Sequence, residues 1–218
     1  VGPENILAIT FTNKAAKEMK NRIGNIENIF VGTFHSFGAK VLRQEHLYLQ
    51  RTANFTIFDE DDSLSLLKQA MKNLNLSKDK HNPLVLKSYI SKIKSELLDS
   101  DKSTVEGALF EEYENFLKRN NAFDFDDLIE KPIKLFNSEK KILKKYQDQY
   151  HHVLVDEYQD INTAQYHLIK LLAQNHQNLS VVGDDAQSIY AFRGADFRNF
   201  LNFEKHWPKA KIVLLEEN

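Results

Sequence analysis

At 218 residues, with 42% apolar and 28% charged residues, the chain is long enough for one large domain, or for a domain carrying an insertion, and can bury a core. A net charge of -2 excludes a globally basic nucleic-acid coat but leaves room for a local basic groove. The absence of cysteine removes disulfides, thiolate metal sites and a cysteine nucleophile, and agrees with a cytoplasmic setting. No apolar run approaches the roughly 20 residues that span a bilayer, and the N-terminus has no secretory pattern.

The first strand-like run is Ile6 to Phe11. Thr12-Asn13 then caps a helix whose apolar face uses Ala15, Ala16, Met19 and Ile23. The second run, Ile29 to Thr33, repeats the design: Val31-Gly32-Thr33-Phe34-His35-Ser36-Phe37 is strand, hydroxyl-bearing turn, helix. Free N–H groups and the positive dipole end at such a helix start accept an anion. Each turn therefore reads in two ways, as a capped helix over a core phenylalanine or as the seat of a phosphodiester. In the second reading Phe11 offers a stacking face and Thr12, Asn13 and Thr33 offer polar contacts. His35, like His151 and His152, lacks metal-ligand partners at sensible spacing and reads as structural or surface.

Residues 54–120 differ from what precedes them. Asp59 to Leu76 predicts one helix, with Leu64, Leu67, Met71 and Leu74 on a stripe. Leu84 to Leu98, preceded by Pro83, predicts another, and Glu106 to Arg119 a third with Phe110, Tyr113 and Leu117 in register. A helical block between two strands of an α/β sheet reads as an insertion subdomain, flanked by sheet-bearing segments 1–53 and 121–218. Asp124-Phe125-Asp126-Asp127-Leu128 follows, with an aromatic between acids. Phe125 is either a buried anchor for an acidic helix start or a base-stacking ring on a capped turn. The lysines Lys140, Lys141, Lys144 and Lys145 read as a solvated helix face.

His152-Val153-Leu154-Val155-Asp156-Glu157-Tyr158-Gln159-Asp160 is the most informative stretch: an apolar run delivers two carboxylates to a strand end. Parallel sheets keep their ligand crevice there. Paired acids suit a hydrated Mg²⁺ and a water activated beside a phosphate. Asn162 then caps a helix carrying Tyr166, Ile169, Leu172 and Ala173. Leu179 to Gly183 predicts the next strand and leads through Asp184-Asp185 to Gln187, an amide suited to hydrogen-bonding a γ-phosphate or its attacking water. Tyr190 and Phe192 come next at i, i+2, with Arg193 able to reach a phosphate or a carboxylate such as Asp156 or Glu157. The last run, Lys211 to Leu215, predicts a fifth strand. Most runs are continuously apolar, as in strands buried on both faces, and helices separate them. The fold class is α/β with a mainly parallel sheet.

A nucleotide-binding sheet of this kind normally cradles its phosphates in a loop of the pattern G-x-x-x-x-G-K-[ST]. None of the seven glycines, Gly2, Gly24, Gly32, Gly38, Gly107, Gly183 and Gly194, is followed by Lys-Ser or Lys-Thr. The sequence therefore reads as a piece of a longer chain.

Five segments, in this order, carry a resemblance: ILAITFTNKAAKEMKNRI from Ile6, VGTFHS from Val31, FDFDDLI from Phe123, VLVDEYQDIN from Val153 and VVGDDAQSIYAFRGAD from Val181. Together they resemble superfamily 1 DNA helicases of the UvrD/PcrA/Rep type, over nearly the whole chain. The resemblance implies a RecA-like motor domain, called 1A, with the helical middle as subdomain 1B. It implies an ATP-dependent translocase that moves 3′ to 5′ on single-stranded DNA and unwinds at single-strand/duplex junctions, with repair or replication proteins as partners. It implies that Asp156 coordinates Mg²⁺, Glu157 activates the attacking water, Gln187 contacts the γ-phosphate of ATP and Arg193 ties that motif to the nucleotide. It implies base stacking by Phe11, Phe125, Tyr190 and Phe192, with Thr33 and His35 beside the DNA backbone. Phe192 stands where many relatives carry tryptophan, which offers more stacking area. Two other readings remain open: the helicase part of a RecB/AddA-like helicase–nuclease, and a non-catalytic nucleic-acid-binding module. Lacking the phosphate loop, this chain alone is expected to be inactive as an ATPase.

Overall fold

The computed structural model describes residues 1–77, 79–184 and 198–214. Four parallel strands form the main sheet: β1 (Ile6–Thr10), β2 (Phe30–Thr33), β5 (His152–Val155) and β6 (Leu179–Val181), in the order β2-β1-β5-β6. Two further strands, β3 (Thr56–Ile57) and β4 (Ala122–Phe123), pair in parallel with each other. The main sheet is parallel throughout, with helices in the crossovers.

Each crossover begins at a capped helix start. Thr12 accepts from the N–H of Ala15 and opens α1 (Asn13–Ile23). Thr33 and Ser36 form a reciprocal capping box at the start of α2 (Phe34–Gln44), and Asn162 and Gln165 do the same for α8 (Thr163–Ala173). The helical block comprises α3 (Glu60–Asn73), α4 (Pro83–Glu96) and α5 (Val105–Arg119). It has a core of its own, built from Leu66, Leu67, Met71, Ile90, Tyr113 and Leu117 among others. The β3–β4 pair sits where the chain leaves for this block and returns from it. Both strands are too short for any periodicity to register in the sequence.

Helices α6 (Asp127–Ser138), α7 (Lys140–Gln149) and α8 bury the main core with Phe34, Phe37, Tyr146, Tyr158 and the sheet residues Leu7, Ile9, Val153 and Val155. Helices α2 and α6 cross in tight contact. A Cβ on Gly38 would fall 1.6 Å from the backbone oxygen of Leu128. That oxygen is the one Pro132, four residues on and lacking an N–H, cannot bond within α6.

Two expectations are corrected. The strands are not all buried on both faces: Val153 and Val155 face the core, while Leu154 is 41% exposed and Ser180 also faces outward. The packed helices cover one face at β5 and β6, so an apolar run there is half-buried. The predicted fifth strand is likewise absent among the described residues: 211–214 carry no strand, and Ile212, Val213 and Leu214 are exposed. An apolar run becomes a strand only with a hydrogen-bonded neighbour, and no described strand supplies one.

Where α4, α5 and α6 meet lies a buried charge network. Lys94, fully buried on α4, donates to Asp124 (2.9 Å) and Asp127 (2.7 Å) and pairs with Glu114 (2.7 Å). Tyr113 donates to Asp124, and Lys131 pairs with Glu114, Asp127 and Glu130. Burial alone would lower the Lys94 pKa, but the surrounding carboxylates hold it well above its ordinary value. Asp127 is pushed up to about 7 by burial and by the neighbouring Asp124 and Glu114 charges. Carboxylates of Glu114, Asp127 and Glu130 converge closely enough for a cation, and the ammonium groups of Lys94 and Lys131 already fill that role.

Lys94→Met removes the central cation and leaves buried carboxylates uncompensated, so chemical denaturation should show a loss of about 3–5 kcal/mol. Gly38→Ala forces α2 and α6 apart and should cost about 1–3 kcal/mol in the same assay, although alanine is the better helix former.

Candidate functional site

Because all four strands of the sheet run the same way, their carboxyl ends line one edge. From one side to the other that edge carries Thr33 at the end of β2, Phe11-Thr12 after β1, Asp156-Glu157 after β5 and Gly183-Asp184 after β6. At about 4.8 Å between neighbouring strands, the row is roughly 14 Å long. The sequence motifs are thus sorted in space: the two hydroxyl-bearing turns occupy one half and the acidic tips the other.

The β1–β5 pairing orients Asp156. Its N–H donates to the oxygen of Ile9 at 2.9 Å, continuing the ladder, and Thr10 Oγ1 donates to Asp156 Oδ2 at 3.2 Å. Thr10 is completely buried, so its hydroxyl is a fixed donor. Asp156 itself is half-buried, and its Oδ1 takes no hydrogen bond among the described residues. One carboxylate oxygen held and the other open, at an accessible strand tip, fits inner- or outer-sphere contact with a hydrated Mg²⁺.

Glu157 has left-handed backbone angles, φ 53° and ψ 43°, uncommon for a residue with a side chain. That kink ends the strand and turns the chain into the buried turn Tyr158–Asp160. The N–H of Tyr158 donates to the oxygen of Val182, joining the β5 and β6 ends.

On the other half, Thr12 and Asn13 are exposed at the α1 start and Phe11 is half-buried beside them. Thr33 is buried and its hydroxyl accepts the N–H of Ser36 at 3.2 Å, so its side chain is engaged as a cap. Between α1 and the β2–α2 turn is a cleft of about 310 Å³ lined by Asn13, Lys17, Lys20, Phe30, Gly32, Thr33 and Ser36, among others. Lys17 and Lys20 give the local basic character that the overall charge left room for.

Phe125 is 54% exposed, and one face of its ring is stacked on His35 at 3.8 Å between centroids and 21° between planes. The turn beneath it is locked by Asp124 and Asp127, each accepting the other's N–H, at 3.2 and 2.9 Å. Burial pushes the His35 imidazole down to about 4, so the ring is neutral near pH 7. His35 therefore serves Phe125 as an apolar backing plate. Gln187, Tyr190, Phe192 and Arg193 lie outside the described residues.

Two contributors escaped the sequence reading. Thr10 acts on Asp156 only through strand register, and Lys94 reaches the Phe125 turn from 30 residues away. Lys17 and Lys20, on which the sequence reading was silent, are placed by the cleft they line.

A parallel sheet with acidic tips beside hydroxyl-capped helix starts defines a RecA-like α/β domain. The chain belongs to the UvrD/REP helicase family: residues 1–208 match its N-terminal domain. It is 44% identical over 232 aligned positions to the ATP-dependent DNA helicase PcrA of Bacillus subtilis (strain 168), covering 100% of this chain and 31% of that protein. PcrA of Staphylococcus aureus (strain Mu50) and of Staphylococcus epidermidis are each 44% identical across the whole chain, which covers 32% of either protein. The chain thus spans about a third of the length of these relatives. No helix among the described residues is long and apolar enough to cross a membrane.

The depressed His35 pKa carries a sign. As pH falls below about 6.5 the unfolded chain takes up the proton first, so the stability owed to neutral His35 is complete above about 6.5 and drains away toward pH 4. An NMR titration should place the ring's midpoint near 4, and a midpoint near 6.5 would contradict the stacked, half-buried arrangement.

Proposed function

We propose that this chain is the N-terminal motor part of an ATP-dependent DNA helicase that moves 3′ to 5′ on single-stranded DNA and opens single-strand/duplex junctions in repair or replication in the cytoplasm. Residues 1–53 and 121–218 form the RecA-like motor domain, and residues 54–120 the helical insertion. The observation that carries this reading is the sorting of the sheet edge, with Asp156 and Glu157 on one half and the capped turns with their basic cleft on the other. Nucleotide chemistry and DNA contact thereby share one rigid sheet.

In this reading Asp156, oriented by Thr10, holds the Mg²⁺ of Mg-ATP, which supplies charge neutralisation at the phosphates. Glu157 accepts the proton of the attacking water. Gln187 and Arg193, in the segment after β6, sense the γ-phosphate and tie it to the DNA side. Phe11, Phe125, Tyr190 and Phe192 stack on bases, each contact worth roughly 1–3 kcal/mol, while Thr12, Asn13, Thr33 and His35 line the backbone track.

Glu157→Gln in the full-length protein should lower DNA-stimulated ATP hydrolysis by about 10²–10⁴-fold and leave single-stranded DNA binding intact. Hydrolysis at the wild-type rate would overturn the assignment. The 218-residue chain alone, with no Gly-Lys-Ser/Thr loop, should hydrolyse ATP negligibly, as a phosphate-release assay would register.

A further inference from the structure

Gln159 has no part in the roles set out so far, yet its side chain joins the two acidic tips. It is 1% exposed, in the turn that follows Glu157. Its Nε2 donates to Glu157 Oε2 at 2.7 Å, and its Oε1 accepts the N–H of Asp184 at 3.1 Å. The orientation of the amide is dictated by these partners: a backbone N–H can face only the carbonyl end, which leaves the NH₂ for the carboxylate. Gly183 makes room for the arrangement, because a Cβ there would lie 2.8 Å from Gln159 Oε1 and 2.9 Å from the Phe200 ring.

Left-handed backbone at Glu157 means that local preference does not hold its carboxylate in place; a partner must. A neutral donor suits that task. Lysine or arginine in this position would stabilise the anion and weaken it as a base, whereas an amide aims it with little such effect. Among the described residues Glu157 makes no ion pair, and the side chain that donates to its carboxylate is Gln159.

We propose that Gln159 is a positioning residue that aims the Glu157 carboxylate and ties it to the end of β6 at Asp184. This rests on the reading of Glu157 as the group that activates water.

The test uses DNA-stimulated ATP hydrolysis by the full-length protein. Gln159→Glu keeps an acceptor for the Asp184 N–H but sets a second carboxylate against Glu157. Repulsion between the two carboxylates turns Glu157 aside, so kcat should fall about tenfold or more, with KM for ATP within about twofold. Gln159→Met keeps the volume and loses both bonds: kcat should fall about tenfold or more, with KM for ATP within about twofold. If Gln159→Glu does not fold, the split between kcat and KM in Gln159→Met decides. Wild-type kcat in both variants, with Glu157→Gln inactive, overturns the positioning role and leaves the functional reading standing. Loss of activity that merely tracks loss of folded protein in melting curves also overturns it. An active Glu157→Gln removes the functional reading itself.

Discussion

The pairing of β1 with β5 is the constraint on which the other features depend. The two strands lie about 146 residues apart in sequence, and their parallel register sets Ile9 against Val155 and Thr10 beside Asp156. Closing so long a loop carries an entropic cost, which the central strands offset by burying Leu7, Ile9, Val153 and Val155 in one core. Slippage by one residue would turn Val153 and Val155 outward and Leu154 inward, and would carry Asp156 away from the Thr10 hydroxyl. Packing of the apolar face and orientation of the acidic tip are therefore the same event.

From that register follows the division of labour along the sheet edge. Parallel strands put every crossover start on one side, so the capped helix starts of α1 and α2 and the acidic ends of β5 and β6 are neighbours by topology. The residues of each half are bonded to strand ends rather than to free loops. A change in the position of one tip is thus felt by the next through backbone bonds such as Tyr158 N–H to Val182 oxygen.

The helical block is bound to this frame by charge as well as by apolar packing. Lys94 on α4 reaches the turn under Phe125, and α4 also packs on α6 and α8. Burying so many charges is costly unless each is bonded, and here the acids outnumber the two lysines. The raised Asp127 pKa is the expression of that imbalance: one carboxyl can keep its proton near neutrality and relieve the excess. An exposed aromatic platform is in this way held by a rigid, desolvated support.

What the amino-acid order determined on its own was the local and the periodic: the capping residues Thr12, Thr33 and Asn162, the four sheet strands, the three helices of the middle block, and the acids that end β5. Family membership was legible for the same reason, since motif identity is a property of short segments read in order. Tertiary structure alone decided which face of β5 is dry, that the run at 211–214 finds no strand partner among the described residues, and that β3 and β4 exist at all. It also decided that Thr10 steadies Asp156, that His35 backs Phe125, and that Lys94 holds the Asp124–Asp127 turn. Those contacts join residues 30 to 146 positions apart, and such contacts leave no trace in the periodicity of a single segment.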